Sequence, residues 1–322
     1  GIGTLFAYAS MGSRELPSSN VLHEGPAMAL GKRGGFAGTH ILVPRGGVAV
    51  HINAFNFPIW GLLEKFAPSF LAAMPCIAKP ATATSYLTHA VVKMMMESGL
   101  VPEGSLQLVI GSTGDLLDRL TGFDAVTFTG SADTAAKLRA NPNLIREAVP
   151  FTAEADSLNA AILAPDVSPD DEEFDLFVKE VAREMTGKAG QKCTAIRRII
   201  VPERHVDALG ERLRARLSKI VVGNPKVEGV RMGALASMDQ HRDVSERVEM
   251  LARGNEVLFS ARDGFKPVGD NCASGAFFSP TLILCRNGST NDAVHDVEAF
   301  GPVSTMMSYR RSEEHTSELQ SR

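Results

Sequence analysis

The stretch Val126-Thr127-Phe128-Thr129-Gly130-Ser131 has the form of a β-strand that ends in a turn and opens a helix. An apolar run is followed by a glycine and a serine, and a helix is predicted over 133–140. Glycine lets the backbone approach a neighbour closely, and the N–H groups at a helix N-terminus attract phosphate. Considered alone, the stretch could equally be a plain connection between a strand and a helix.

Strand and helix alternate in the same way over the first 150 residues. Short continuous apolar runs are typical of a parallel sheet that is covered on both faces. The pattern predicts a doubly wound α/β arrangement, which binds nucleotides at the carboxyl ends of its strands. The usual GxGxxG fingerprint is absent. The predicted strands are 41–43, 48–53, 76–78, 106–110 and 125–129, and the predicted helices are 59–73, 85–97, 115–120 and 133–140.

Outside this region, residues 1–38 are rich in glycine and serine and are predicted to be mostly irregular. The second half alternates again, with a strand over 196–201 in which Arg197 and Arg198 are expected to point outward. Further strands are predicted over 160–163 and within 275–285, and helices over 174–185, 206–217 and 243–252.

Composition places the chain among ordinary globular proteins. It has 322 residues, 44% hydrophobic and 22% charged, with a net charge of −4. This charge gives no sign of a nucleic-acid or anionic-membrane partner, and the apolar runs are too short for a membrane span. Four cysteines without CxxC or Cys/His spacing predict a reduced, cytoplasmic protein that holds no metal. No signal peptide is recognised at the start of the sequence.

The stretch Gly190-Gln191-Lys192-Cys193-Thr194-Ala195 contains the cysteine most suited to chemistry. Its neighbours are small or polar, and they would leave the sulfur accessible to a substrate. By itself this pattern fits a half-buried structural cysteine as well as a nucleophile. Cys76, Cys272 and Cys285 are interpreted as structural, and His51 as a packed, hydrogen-bonded histidine.

Six motifs together resemble the aldehyde dehydrogenase superfamily, in the order in which that family carries them. Each is weak to moderate alone, and the ordered set over residues 40–303 is specific. The motifs are Phe55-Asn56-Phe57-Pro58, Lys79-Pro80-Ala81, Phe128-Thr129-Gly130-Ser131, Glu154, Gly190-Gln191-Lys192-Cys193 and Glu298-Ala299-Phe300-Gly301-Pro302-Val303.

One motif departs from the usual family pattern and points to a branch. The stretch Glu154-Ala155-Asp156-Ser157-Leu158-Asn159 stands where most members have Glu-Leu-Gly-Gly. It resembles the aldehyde dehydrogenase half of the bifunctional phenylacetate-degradation enzymes, as does Val50–Pro58. In those enzymes a hydratase domain follows, and no part of one is recognised here.

The resemblance implies three catalytic residues. Cys193 would attack the aldehyde, giving a thiohemiacetal that collapses to a thioester as hydride leaves. The side-chain amide of Asn56 and the backbone N–H of Cys193 would stabilise the oxyanion. Glu154 would act as general base on the hydrolytic water, with a pKa raised by an apolar cleft. Seen alone, Asn56 could be a loop-capping residue and Glu154 a surface residue at a strand end.

The resemblance also implies cofactor contacts. Lys79 would bind the adenosine ribose, and the position three residues later, often acidic in NAD-preferring relatives, is Thr82. A neutral Thr82 removes repulsion of a 2′-phosphate, so NADP is the expected cofactor and NAD is also possible. Gly130 and Ser131 would lie near the pyrophosphate. Glu298 would hold the nicotinamide ribose, and Phe300 would lie beside the nicotinamide. Alone, Lys79 would be a surface lysine and Glu298 a turn residue.

The expected architecture is an aldehyde dehydrogenase-like α/β fold, incomplete at both ends. Residues 1–153 would form a truncated Rossmann-type cofactor domain, and residues 154–310 a truncated α/β catalytic domain. Residues 311–322 resemble translated sequencing-adapter DNA and are interpreted as a non-native tail. The missing end would contribute to the homo-oligomer expected of the full-length protein.

The expected substrate is an open-chain CoA-thioester semialdehyde from aerobic phenylacetate breakdown, of the 3-oxo-5,6-dehydrosuberyl-CoA type, oxidised to the acid. An alternative is the 3,4-dehydroadipyl-CoA semialdehyde dehydrogenase of the benzoyl-CoA epoxide route. A further alternative is a non-catalytic member of the fold or an inert fragment.

Overall fold

The structure is a computed structural model that describes residues 1–260, 265–270 and 272–310. The chain divides into two compact units, one over Gly1–Ala155 and the other beginning at Asp156. The interpreted tail at 311–322 lies outside the described residues. In the described ranges, no helix combines the length and the apolar character needed to cross a membrane.

The first unit contains a five-stranded sheet, which is parallel as predicted. The predicted strand over 41–43 lies outside it, in an antiparallel pair, and the edge strand over 151–155 was not predicted. The strand order of the sheet is β7-β6-β5-β8-β9, and each neighbouring pair is parallel. Two small antiparallel pairs, β1 with β4 and β2 with β3, precede it. The helices are α1 Ile2–Glu15, α2 Trp60–Leu71, α3 Ser85–Glu97, α4 Ala132–Arg139 and α5 Pro142–Arg146, and the strands are β1 Leu22–His23, β2 Met28–Leu30, β3 Phe36–Gly38, β4 Ile41–Leu42, β5 Ala49–Ile52, β6 Cys76–Lys79, β7 Leu106–Leu108, β8 Ala125–Gly130 and β9 Phe151–Ala155.

Apolar side chains cover this sheet on both faces, because successive strand residues point to opposite sides. Ala49 packs with α2 and α3, whereas the adjacent Val50 packs with α4 and α5. Each fully buried aliphatic or aromatic side chain contributes about 1.5 to 3 kcal/mol. The doubly wound arrangement is therefore confirmed for the first unit. The predicted helix over 115–120 is a short 3₁₀ turn, Leu116–Arg119.

The prediction of an irregular start was wrong, because residues 2–15 form the helix α1. Its glycines suggested a loop, but an interior glycine costs a helix only about 1 kcal/mol. The remaining residues are mostly good helix formers. Gly12 allows close packing on α2, since a Cβ atom there would lie 2.8 Å from Leu71.

The second unit is also a sheet covered on both faces. Among its described residues the strand order is β10-β11-β14-β13-β12, with all neighbours parallel except the antiparallel edge strand β12. One apolar core includes α6 and α7, and the other includes α8. The helices are α6 Glu172–Thr186, α7 Val206–Leu217, α8 Met238–Ala252 and α9 Ala293–Asp296, and the strands are β10 Asn159–Ile162, β11 Ile196–Pro202, β12 Glu256–Ser260, β13 Thr281–Cys285 and β14 Val303–Tyr309.

Two sequence-based expectations are corrected here. The boundary falls after Ala155, so Glu154 belongs to the first unit. The cause is the pairing of β9 with β8, which places Glu154 beside Thr129 in the first sheet. Arg197 does not point outward, because it is buried at 4% exposure, whereas Arg198 is only half-buried. Adjacent residues of a strand face opposite sides, so the two arginines have different surroundings.

Candidate functional site

The Cys193 loop, defined as residues 187–195, connects α6 to β11. Cys193 is exposed in this loop, whereas Cys76, Cys272 and Cys285 are buried. Burial raises the pKa of the Cys76 thiol to about 11. Because thiolates are the reactive form, accessibility singles out Cys193 as the candidate nucleophile. The burial of the other three cysteines fits their interpretation as structural residues.

Three consecutive residues before Cys193 have left-handed backbone. Lys188 and Ala189 both have φ of 53° and Gly190 has φ of 69°. For residues other than glycine this conformation costs roughly 1 to 2 kcal/mol each. A Cβ atom on Gly190 would lie 2.0 Å from the carbonyl oxygen of Gly301. Glycine is therefore required where the loop meets the segment after α9.

Side chains of the stretch 154–159, which departs from the usual family pattern, form hydrogen bonds to the Cys193 loop. The hydroxyl of Ser157 and the side-chain amide of Asn159 both donate hydrogen bonds to the carbonyl oxygen of Cys193. The Gln191 side chain accepts a bond of 2.9 Å from the backbone N–H of Ala236. Sequence reasoning noticed Ser157 and Asn159 only as a departure from the family pattern. Their contacts show that the residues of this departure bind the backbone of Cys193.

Glu298 is buried between α9 and β14 at 8% exposure. One carboxylate oxygen accepts a hydrogen bond of 3.1 Å from the backbone N–H of Ser157, and the other lies 3.4 Å from Nε of Arg197. Burial raises the pKa of Glu298, and the Arg197 guanidinium and the Ser157 N–H partly offset this. The guanidinium also lies 5.3 Å from the centre of the Phe300 ring. The structure thus places Glu298 and Phe300 around one buried cation.

Two cations influence Cys193 within the second unit. Burial and the neighbouring Lys192 lower the pKa of Lys188, while a Cys193 thiolate acts in the opposite direction. Burial lowers the pKa of Arg197, and Glu298 and Cys193 favour its charged form. Lys192 itself forms an ion pair of 2.6 Å with Glu184. This local positive charge suits a thiolate.

In the first unit, the predicted site residues lie at or just after the carboxyl ends of the parallel strands. The half-buried Asn56 follows β5, Lys79 ends β6, Gly130 ends β8, and the exposed Glu154 is in β9. This is the edge at which doubly wound sheets bind ligands. The roles assigned to these residues stay predictions.

The residues around the expected nucleotide site have suitable donors. Thr82 is exposed in a 3₁₀ turn after β6, Thr82–Thr84, and Lys79 is half-buried nearby in sequence. Ser131 caps α4 by accepting a 3.4 Å bond from the N–H of Thr134. A cation, hydroxyl groups and helix N–H groups fit the phosphates and ribose of a nucleotide. A Cβ atom on Gly130 would lie 2.5 Å from the Phe128 ring, so that ring would have to move.

A buried polar network at the same edge was missed by sequence reasoning. Lys65 of α2 donates to Oδ1 of Asn53 at 3.0 Å and to the hydroxyl of Thr129 at 2.6 Å. Burial lowers the pKa of Lys65, and Glu64 and Glu154 partly offset this. In the described residues, Nδ2 of Asn53 is buried without a hydrogen-bond partner. Lys65 lies within a predicted helix, and nothing in the sequence around it indicated this role.

His51 is packed and hydrogen-bonded, as predicted. Its Nδ1 is 2.7 Å from the Thr127 hydroxyl and its Nε2 is 3.2 Å from the Ser69 hydroxyl. Burial, with a smaller contribution from Lys65, lowers the pKa of His51 to about 4. Across the described ranges, no group of three or more His, Cys, Asp or Glu side chains is arranged to hold a metal ion.

Comparison with known proteins gives matches along most of the chain. The profile of the aldehyde dehydrogenase family matches residues 22–319. The chain is 48% identical over 308 residues to 3,4-dehydroadipyl-CoA semialdehyde dehydrogenase of Aromatoleum evansii, covering 96% of the chain and 60% of that protein. It is 29% identical over 268 residues to glutarate-semialdehyde dehydrogenase of Pseudomonas putida, covering 82% of the chain and 52% of that protein.

Solved structures agree with the fold. Betaine aldehyde dehydrogenase of Staphylococcus aureus in complex with NAD⁺ matches with a TM-score of 0.82 and 25% identity, over 99% of this chain and 60% of that one. Succinic semialdehyde dehydrogenase of Streptococcus pyogenes with NADP⁺ matches in fold with a TM-score of 0.79 and 21% identity, over 98% and 64% of the two chains. The chain spans about 60% of the length of its 48%-identical relative.

The family profile covers far more than half of the chain, and a 48%-identical relative is matched over nearly all of it. The expected fold is confirmed by the two sheets and by the solved structures. The chain belongs to the aldehyde dehydrogenase family.

Proposed function

We propose that the protein oxidises a CoA-linked semialdehyde to the corresponding acid with NAD or NADP. The observation that carries this proposal is the single exposed cysteine among the described residues, Cys193, in a constrained loop beside the buried Arg197–Glu298 pair. Family membership and the 48%-identical relative support the reaction class and the CoA-linked substrate.

The reaction begins at the sulfur of Cys193. The thiolate forms a C–S bond to the aldehyde carbon, and the carbonyl oxygen becomes an oxyanion. Donation by the Asn56 side chain and the Cys193 backbone N–H would stabilise that charge. Collapse of the thiohemiacetal restores the C=O bond, expels hydride and leaves a thioester on Cys193. A bound nicotinamide cofactor supplies the hydride acceptor.

Hydrolysis of the thioester requires a base, for which Glu154 is proposed. Its carboxylate would take a proton from water as the water oxygen attacks the thioester carbon. The C–S bond then breaks, the acid is released and the thiolate returns. Glu154 is exposed in β9, which leaves its carboxylate accessible to water.

Of the two CoA-linked substrates considered, a 3,4-dehydroadipyl-CoA semialdehyde is favoured. The relative that matches at 48% identity is described as acting on that compound. The longer phenylacetate-derived semialdehyde has the weaker support. We retain NADP as the expected cofactor because the exposed Thr82 carries no charge to repel a 2′-phosphate. Homo-oligomerisation and a following hydratase domain remain proposals for the whole protein.

The test is cofactor reduction by a full-length version of the protein with both CoA semialdehydes and with glutarate semialdehyde. Cys193→Ala is expected to lower turnover at least ~10⁴-fold, as removal of a nucleophile does. Glu154→Gln is expected to lower steady turnover by about 10² to 10⁴-fold while keeping a single-turnover burst. Cys272→Ala and Glu147→Gln serve as matched controls, because Cys272 is a buried thiol and Glu147 an exposed carboxylate of the first unit.

Faster reduction with the adipyl-type substrate than with the longer one would support the proposed specificity. Faster cofactor reduction with the longer substrate would instead favour the phenylacetate-derived semialdehyde. A folded protein that binds cofactor but reduces none with any aldehyde would contradict the proposal and favour a non-catalytic member of the family.

A further inference from the structure

The side chain of Arg197 connects the two segments of the second unit that carry predicted site residues. Its guanidinium donates to the carbonyl oxygens of Gly190 and Gly301, each at 2.7 Å. A longer bond of 3.4 Å reaches the carbonyl of Lys192, next to Cys193. The same side chain pairs with Glu298 and lies over Phe300. Arg197 therefore joins the Cys193 loop directly to the segment 298–301.

Arginine is suited to this position for geometric reasons. Its planar guanidinium presents five N–H donors in fixed directions and stays charged when buried. Here the donors are directed at three carbonyl oxygens and one carboxylate, while the flat face meets an aromatic ring. A lysine has the charge but only a single tetrahedral group of donors.

The joined loop is held in an unfavourable backbone conformation. The left-handed residues Lys188, Ala189 and Gly190 precede Cys193, and such backbone persists only where surrounding contacts impose it. The bonds from Arg197 to the carbonyls of Gly190 and Lys192 lie at the end of this run. These two bonds would hold the loop in its left-handed conformation.

We propose that Arg197 is a positioning residue that fixes the Cys193 loop against Glu298 and keeps a cation beside the reactive thiol. The inference rests on the proposed function, in which Cys193 attacks the aldehyde and Glu298 holds the cofactor. Arg197 would act through both groups, because its hydrogen bonds go to Glu298 and to backbone carbonyl oxygens of the two segments.

Other charged groups of the unit surround the same region. Lys188 lies near Cys193, and Lys192 is neutralised in part by Glu184. Asp156 acts on Glu298 from the segment before β10. Substitution of Arg197 alone leaves these other charges of the region unchanged.

The experiment measures alkylation of Cys193 by iodoacetamide across pH, with the site of labelling read by mass spectrometry. Arg197→Gln is expected to slow labelling at least tenfold near neutral pH and to move the midpoint of the pH profile upward. Arg197→Lys is expected to restore the midpoint but only part of the rate, because it keeps the charge and loses the planar set of donors. Arg242→Gln is the matched control, because that guanidinium is exposed and pairs with Asp239 of the same helix, α8.

A folded Arg197→Gln variant with the wild-type rate and pH profile would overturn the inference. If Arg197→Gln does not fold, Arg197→Lys and Glu298→Gln decide the question. Glu298→Gln leaves the guanidinium without its carboxylate, so the midpoint should move downward, opposite to the Arg197→Gln shift. Unchanged profiles in both of these variants would equally overturn it.

Alkylation needs neither aldehyde nor cofactor, so the two proposals fail separately. Slow labelling in Arg197→Gln without aldehyde oxidation by the wild-type protein would retain the positioning role and remove the proposed function. Aldehyde oxidation that is equally fast in Arg197→Gln and wild type, with unchanged labelling, would remove the positioning role and retain the proposed function. In an active protein, the positioning role predicts a fall in kcat larger than any rise in the aldehyde KM.

Discussion

The predicted site residues of the two units are supported in different ways. In the first unit, Lys79, Gly130 and Glu154 lie at or near the carboxyl ends of strands in one parallel sheet, so ordinary sheet topology brings them to one edge. In the second unit, Cys193 and Glu298 lie in loops. The buried Arg197–Glu298 ion pair stabilises these loops, and the Cys193 loop contains left-handed backbone. Regular structure therefore organises the first set, and specific long-range contacts organise the second.

This difference predicts unequal sensitivity to substitution. A residue at a strand end keeps its place when an exposed neighbour changes, because the backbone hydrogen bonds of the sheet remain. A loop defined by a few buried contacts loses its shape when one of them is removed. The predictions below test this contrast.

The largest effect is expected for Gly190→Ala in the second unit. The new Cβ atom would lie 2.0 Å from the carbonyl oxygen of Gly301, so one of the two segments must move. We expect a loss of about 3 kcal/mol in unfolding free energy and slower alkylation of Cys193. Denaturant unfolding and the labelling rate provide the measurements.

Gly254→Ala provides a matched control for backbone strain. Gly254 has φ of 72°, close to the 69° of Gly190, but a Cβ atom there would have nothing within 4 Å. Its expected cost is only about 1 kcal/mol, without any effect on labelling. Equal effects of the two substitutions would contradict the claim that contact with Gly301 shapes the loop.

The second prediction concerns acid stability of the first unit. Burial lowers the pKa of His51 from 6.5 to about 4, so the unfolded chain binds the proton more readily. The stability associated with neutral His51 is complete above pH 6.5 and is lost as the pH falls towards 4. Between pH 7 and pH 4.5 this loss is about 2.5 kcal/mol. Urea unfolding followed by fluorescence of Trp60, the one tryptophan of the sequence, measures it in the same unit.

His51→Gln should remove most of that pH-dependent loss, although it also lowers stability at pH 7. The control is His89→Gln, because His89 is an exposed histidine of the same unit. A pH dependence that disappears in His89→Gln, or persists unchanged in His51→Gln, would show that another group is responsible.

The smallest effect is expected for Thr82→Glu at the edge of the first sheet. A carboxylate there should repel a 2′-phosphate and accept a bond from a ribose 2′-hydroxyl. We expect the ratio of kcat/KM for NADP to that for NAD to fall about tenfold, which corresponds to about 1.4 kcal/mol. Because the turn is exposed, the unfolding free energy should change little.

Ala83→Glu tests whether position, rather than added charge, sets this preference. Ala83 is exposed in the same turn, and its substitution should leave the cofactor ratio within about twofold. A full-length wild-type protein that already prefers NAD strongly would contradict the interpretation of Thr82.

The sequence predicted strands such as β5 and β8 because each is a short, largely apolar run, and burial on both faces favours that pattern. It did not predict β9, β12 or β14, although β14 is the central strand of the second sheet. It failed at α1, where glycines outweighed good helix formers in the interpretation. It also failed at Arg197, although a signal existed. Two adjacent charges in a strand covered on both faces cannot both reach solvent, so one of them needed a buried partner.

The partner of that charge could not be deduced, because Glu298 lies 101 residues away along the chain. The contacts from Ser157 and Asn159 to Cys193 were equally beyond reach, since they depend on how β10 aligns beside β11. Motif order located the candidate residues in sequence. Long-range register and buried hydrogen bonds, which no local pattern encodes, decide how the second unit holds them.

The positions of the cysteines allow local opening of each unit to be followed by thiol labelling. Cys193 is exposed, while Cys76 lies in a core of the first unit and Cys285 in a core of the second. A thiol reagent therefore reacts first at the loop, and at the other two only when the surrounding core opens. Successive mass tags on Cys76 and Cys285 would time the opening of each unit in the unmodified sequence.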